Sequence, residues 1–229
     1  MYIYYEDKFY DITPLATALT SATFTSTNGS NTVTVNKSSH ALDIGEYITF
    51  TSVTLPGGGA TGFTVADFES YTFEILSTPD ANSFTIQMKS NESGTGMTAA
   101  GSVSINPYEE IGPTIQTYGY GWGTGTWSRL TWGSGTTTSS LILDPGSWSL
   151  DNFGEQLIAT IKDGKTFVWN PGVSNPLEQR ATIMTGAPTA TRLTITSDRD
   201  RHVVHFGTET TIGDTTTQDP MFIRFSDQE

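Results

Sequence analysis

Apolar and polar residues alternate with period two along much of the first half of the chain. The pattern is clear in ATFTS (22–26), NTVTVN (31–36), EYITFTSV (46–53), YTFEIL (71–76) and NSFTIQMK (82–89). These runs are rich in Thr, Val, Ile, Phe and Tyr, and their period is that of a strand with one packed face and one solvated face. The breaks carry turn residues: TNGSN (27–31), PGGG (56–59) and TPDANS (78–83). A spacing of about a dozen residues between runs suits a small sandwich or barrel. One helical turn is predicted at TVADFES (64–70), where Thr64 is placed to cap and Asp67 follows three residues later. The fold class is therefore all-β.

The pattern divides the chain into four parts. Residues 1–18 form an N-terminal strand or arm, and 19–106 a compact β-sandwich-like or barrel-like domain. Residues 107–145 form a Gly/Trp-rich linker punctuated by Pro107, Pro113 and Pro145. Residues 146–229 carry an internal echo. The segment SWSLDNFGEQLIATIKDGKTFVWNPG (147–172) reads as three strands with an Asp163-Gly164 hairpin turn. TRLTITSDRDRHVVHFG (191–207) and DPMFIRFSDQE (219–229) repeat the arrangement, with Leu157 aligned on Val203. Trp148 to Leu150 answers Leu193 to Ile195, and Phe167 to Asn170 answers Ile223 to Ser226. Such short-strand units, each closed by an aromatic-polar step, predict propeller-blade-like antiparallel β units. A propeller takes roughly four to eight blades to cover its edges. Further blades in a longer parent polypeptide, or partner subunits, are thus expected to close the second unit.

The linker holds the oddest stretch, YGYGWGTGTWSRLTWG (118–133). Trp122, Trp127 and Trp132 stand five residues apart among five glycines, beside Tyr118 and Tyr120. In an extended strand that spacing sends Trp127 to the side opposite Trp122 and Trp132, so no flat three-ring platform follows. The five aromatic residues are expected to form an interface with a neighbouring domain or subunit, where Trp and Tyr are enriched. A sugar-stacking surface is the alternative.

Charge and chemistry narrow the function. With 24 acidic and 11 basic residues the net charge is −13, which disfavours nucleic acid and anionic lipid as partners. No apolar run is long enough for a membrane span, and MYIYYEDKFYDITP does not read as a signal peptide; folding in a cytoplasm is expected. The absence of cysteine excludes disulfides and thiolate metal sites. Phosphate-binding loops, nucleophile elbows and zinc-protease motifs are missing. Of the three histidines, His202 and His205 flank two valines and should face opposite sides of a strand. Asp198, Arg199, Asp200 and Arg201 read as a surface ion-pair knot in a turn. The adjacent Glu109 and Glu110 point apart in an extended chain and form no glycosidase pair. DRDRHVVHFGTE (198–209) matches no calcium loop. No catalytic residue, metal site or cofactor is expected, and the chain is not read as an enzyme.

Five segments in order carry a resemblance: FYDITP (9–14), SSHALDIGEYITF (38–50), GYGWGTGTW (119–127), SWSLDNFGEQLIA (147–159), and RHVVHFG with DPMFIRFSDQE from Arg201 onward. Over nearly its whole length the chain resembles a family of tailed-bacteriophage virion structural proteins. These are longer and similar in architecture to the propeller-bearing nozzle or tubular proteins of short phage tails. The resemblance implies a virion part, assembled in the host cytoplasm, whose partners are other copies of itself and other virion proteins. The first expectation is an oligomeric tail component of nozzle or tube type. The alternative is a glycan-binding module that recognises host surface polysaccharide, with a depolymerase third.

Overall fold

In the computed structural model, residues 1–111, 146–197, 199 and 201–227 of the 229-residue chain are described. Their backbone is nearly all β, in antiparallel sheets. The chain divides into two compact units, Met1–Glu110 and Ile111–Glu229.

The first unit opens with a hairpin, β1 (Tyr2–Tyr5) and β2 (Lys8–Asp11). Its two-residue turn puts Glu6 and Asp7 at φ 47° and 60°, a left-handed pair usually given to Asn-Gly. Then follow β3 (Leu19–Ser26), β4 (Thr32–Asn36), β5 (Tyr47–Thr54), the single helix α1 (Val65–Glu69), β6 (Thr72–Glu74), β7 (Ser77–Asp80), β8 (Ser83–Gln87) and β9 (Ala100–Pro107). All but α1 join one seven-stranded sheet of order β6-β5-β9-β3-β4-β8-β7, curled as a half-barrel. The five alternating runs supply β3, β4, β5, β6 and β8. Thr78–Asp80, expected in a turn, instead extends as β7, and the reversal is confined to Ala81 and Asn82.

The inward residues of these strands, Phe24, Val33, Val35, Ile48, Phe50, Phe84, Ile86, Val103 and Ile105, are almost fully buried. Alternation sends their threonine neighbours outward. The helix closes the curl by delivering Phe68 onto Phe24, ring centroids 4.4 Å apart and stacked, with Phe50 and Phe63 edge-on. Its start is fixed as expected: the Asp67 carboxylate accepts the Thr64 amide at 2.7 Å and the Thr64 hydroxyl at 2.8 Å. At Gly101, φ is +77° and an added Cβ would lie 2.4 Å from the Thr54 carbonyl oxygen, so the β5–β9 bulge needs glycine there.

Among its described residues the second unit holds two sheets. One has the order β10-β11-β12-β13, from Trp148–Phe153, Gln156–Ile161, Thr166–Trp169 and Thr182–Ile183. The other has the order β14-β15-β16, from Leu193–Ser197, His202–Phe206 and Ile223–Phe225. Both echoed strand triplets thus form antiparallel sheets. At the hairpin between β11 and β12 it is Asp163 that takes positive φ, 58°. Gly164 pairs with Thr191, and an added Cβ would lie a tight 3.1 Å from Ile161 Cβ, so a larger residue there makes Ile161 shift. Trp169 is held under the following loop, its indole N–H donating to the carbonyls of Pro176 at 3.1 Å and Gln179 at 3.2 Å.

Candidate functional site

The β14–β16 sheet has its apolar face outward. The register aligns Leu193, Phe206 and Ile223 in one row and Ile195, Val204 and Phe225 in the next. Strand alternation puts all six on one face. Phe225 is 73% exposed, Ile223 54%, Leu193 47% and Ile195 43%, while Val204 and Phe206 are half-buried. The opposite face, with Thr194, Val203 and His205, is buried.

That inversion is possible because the inward polar groups are satisfied. Thr166, Thr160, Thr194 and His205 form a buried chain of hydrogen bonds: 3.0 Å from Thr166 Oγ1 to Thr160 Oγ1, 2.7 Å from Thr160 Oγ1 to Thr194 Oγ1, and 3.0 Å from Thr194 Oγ1 to His205 Nδ1. Thr160 donates to Thr194, so Thr194 donates onward to the imidazole and Thr166 donates to Thr160. The chain joins the two sheets. Beside it the Asp151 carboxylate accepts the Thr196 amide at 2.6 Å, a bond that holds its carboxyl below the usual range. Burial pushes the His205 imidazole down to about 4, against the opposing pull of Glu209.

Along β16 runs a cleft of about 380 Å³, lined by Met184–Pro188 on one side and Phe222–Ser226 on the other, with His205 in its wall. Gly207 N donates to Phe222 O and Ser226 N to Val203 O. The antiparallel alternation therefore turns the N–H and C=O of Ile223 and Phe225 away from β15, to the free edge of the sheet.

Glu209, fully buried, organises the rear of this cleft. Its Oε1 accepts from Thr189 N, Thr189 Oγ1 and Gly213 N, and its Oε2 from Ala190 N, at 2.7 to 3.2 Å. Burial raises its pKa, but these N–H bonds outweigh burial and leave it below the ordinary value. Arg224 donates to the main-chain carbonyls of Glu209 at 3.2 Å and Thr210 at 2.7 Å. His202 lies on the other face of β15 from His205, its Nδ1 2.8 Å from the Ser226 carbonyl. Arg201 closes a tight turn onto Ser197, its N–H donating to the Ser197 carbonyl at 2.8 Å; Asp198 and Asp200 lie outside the described residues. Among the described residues no group of three or more His, Cys, Asp or Glu is placed to hold a metal ion, and no helix is long and apolar enough to cross a membrane.

The first unit presents a second apolar surface. On the β1–β2 hairpin, Tyr4 and Phe9 are directly opposed with ring centroids 5.0 Å apart, and Tyr2 shares their face. They are 59%, 74% and 66% exposed. Its other notable groups are carboxylates. Glu92, almost fully buried, accepts from Ser26, Thr61, Gly62 and Gly94 and ties two loops together. Burial pushes the Glu46 carboxyl up to about 8, helped by a hydrogen bond to Glu110. Glu110 thus pairs with Glu46 rather than with its neighbour. Hydrogen-bonded carboxyls lie closer than the roughly 5 Å or more that glycoside hydrolysis requires.

The five aromatic residues expected at an interface, Tyr118, Tyr120, Trp122, Trp127 and Trp132, lie outside the described residues. Sequence reasoning did not find the apolar β14–β16 face or the aromatic hairpin face. The signal for the first was the second apolar set that MFIRF adds beside LTI and HVVHF.

No protein-family model matches the chain, and neither does any curated protein. Among solved structures it is similar to Phage phi92 endosialidase, with a TM-score of 0.32 and 11% identity, over 93% of this chain and 32% of that one. This chain spans about a third of that protein's length. So weak a likeness transfers neither activity nor assembly to this chain.

Proposed function

We propose that this chain is a structural component of a tailed-phage virion, a tail part of nozzle or tube type that works through its subunit interfaces. The observation that carries the reading is the outward apolar face of β14–β16. A monomeric protein rarely leaves a whole sheet face of aliphatic and aromatic side chains in water, and such patches mark association surfaces. The two small sheets of the second unit are read as blade-like units, the second of which is finished by a neighbour. The phage assignment is supported by the five ordered segments from Phe9 to the end that resemble virion proteins. The chemistry agrees with a mechanical role. The buried carboxylates Glu92 and Glu209 are occupied by main-chain and hydroxyl donors, and His205 Nδ1 is engaged by the hydroxyl chain.

The test is the state of the purified chain. Light scattering across a concentration series, with negative-stain imaging, is expected to find rings or higher oligomers. A concentration-independent monomer that instead binds host polysaccharide would replace this reading with the glycan-binding alternative.

A further inference from the structure

We infer that the open face of β14–β16 is covered by the β1–β2 hairpin of a second copy, so that chains join head to tail. The inference rests on the assembly reading above and names its contact.

Among the described residues, two apolar faces of different kinds stand exposed. One is the flat face Leu193, Ile195, Val204, Phe206, Ile223 and Phe225, which bears no charge. The other is the aromatic face Tyr2, Tyr4 and Phe9, on a two-stranded ribbon of four residues per strand. A two-stranded hairpin is marginal by itself and needs a surface to pack against. Both faces are two residue rows deep, and each leaves on the order of 400 Å² of apolar surface in water at roughly 150–250 Å² per large side chain. The areas match. If the flat face paired with its own copy, the hairpin aromatics would stay in water. A hairpin-on-sheet contact covers both at once.

Charge favours the same arrangement. Two chains of net charge −13 repel, so they approach best where at least one surface is uncharged. The hairpin's ionic residues are kept from the contact by strand geometry or by prior engagement. Glu6 and Asp7 stand at the turn, where Asp7 accepts the Tyr4 hydroxyl at 2.6 Å and marks the rim of the contact; Lys8 falls on the opposite face, and Asp11, opposite Tyr2, already accepts from Thr13 and Tyr108. A contact joining two different surfaces is heterologous, so it repeats into a closed ring or an open tube. About 800 Å² per contact is below the roughly 1,200 Å² of a stable pair, so single contacts are weak and assembly is secured by closure.

Two variants with one dead surface each test this. Phe9→Asp removes the hairpin face and Phe225→Asp the sheet face, both at exposed positions that leave the folded cores untouched. Each alone is expected to stay monomeric by light scattering at every concentration, while their 1:1 mixture shows a weak, concentration-dependent dimer and nothing larger. Because the chain has no cysteine, the contact can also be trapped. Separately purified Tyr4→Cys and Ile223→Cys copies, mixed and oxidised, should give the mixed disulfide as the main product. Oligomers in which Phe9→Asp still self-associates, or in which Ile223→Cys links mainly to itself, would overturn the hairpin contact and leave the assembly reading standing. A wild-type chain that is monomeric at every concentration would overturn both.

Discussion

Thr194 and His205 are directly opposed across the β14–β15 ladder, both almost fully buried, with Thr194 Oγ1 3.0 Å from His205 Nδ1. Burial of the ring holds the imidazole neutral, against the pull of Glu209, and sets a pH limit on the second unit. In the unfolded chain the group titrates near 6.5, but in the folded chain near 4. Between those values the unfolded state binds the extra proton, so stability is full above pH 6.5 and falls as pH drops toward 4. The shift is worth about 3 kcal/mol. No tryptophan precedes residue 122, and Trp148 and Trp169 stand in strands of the second unit, so fluorescence of a variant keeping these two reports its stability in urea. Midpoints at pH 7 and 4.5 should differ in this background and converge when it carries His205→Asn, which keeps an acceptor for Thr194.

Glu46 gives the first unit the opposite slope. Its carboxyl ordinarily titrates near 4.5 but is pushed up to about 8 by burial and by Glu110. Between those values the folded state holds the extra proton, so stability falls as pH rises from 4.5 through 8. In Glu46→Gln the amide oxygen still accepts from Asp43 N, as Oε1 does at 2.9 Å, and the amide N–H donates to Glu110. The variant should therefore match the wild type at pH 5 and exceed it at pH 8.5. Hydrogen exchange of the β5 and β9 amides measures this unit without the tryptophans.

The strands were legible in the sequence because period two is a direct consequence of the pleat. Phe24, Phe50 and Phe84 alternate with threonines, and solvent decides which set turns in. In β14 the same rule identifies the strand and misplaces its faces. Leu193-Thr194-Ile195 alternates as well as any run, yet Thr194 is buried because Thr160 and His205 satisfy its hydroxyl. Alternation fixes that two faces differ; hydrogen-bond partners 11 and 34 residues away in sequence decide which one is dry. Glu92 and Glu209 were illegible for the same reason, since a carboxylate neutralised by amide donors looks like any surface glutamate. Residues 1–18 show an N-terminal strand or arm but not its hairpin, because Glu6-Asp7 lacks the glycine that marks such turns.

Thr191 is buried with both main-chain groups bonded to the Asp163-Gly164 turn, but its hydroxyl has no partner. A buried unmet hydroxyl costs free energy that an isosteric methyl does not. Thr191→Val should therefore raise the stability of the second unit by about 1 kcal/mol, read as a higher urea midpoint with an unchanged slope.

Glu92 and Glu209 look equivalent, each a buried carboxylate with four donors, yet replacement by glutamine should separate them. At Glu92, Oε1 accepts the amides of Gly62 and Gly94, while Oε2 accepts two hydroxyls, Ser26 and Thr61. Hydroxyls can reverse. A glutamine oxygen in place of Oε1 keeps both amide bonds, and its NH₂ donates to Ser26 and Thr61; these hydroxyls still accept Met97 N and Phe63 N but lose the acceptor for their own hydrogens, so the cost is about 1–2 kcal/mol. At Glu209 neither orientation works. An NH₂ in place of Oε2 meets the Ala190 N–H, and in place of Oε1 it meets the N–H groups of Thr189 and Gly213. Amide donors cannot reverse, so either the buried Ala190 N–H or the partly buried N–H groups of Thr189 and Gly213 are left facing another donor, and the expected loss is about 2–3 kcal/mol. Urea unfolding of the two variants, by hydrogen exchange for Glu92→Gln and tryptophan fluorescence for Glu209→Gln, tests the contrast. Equal losses would show that the hydroxyl orientations assigned to Ser26 and Thr61 do not adapt.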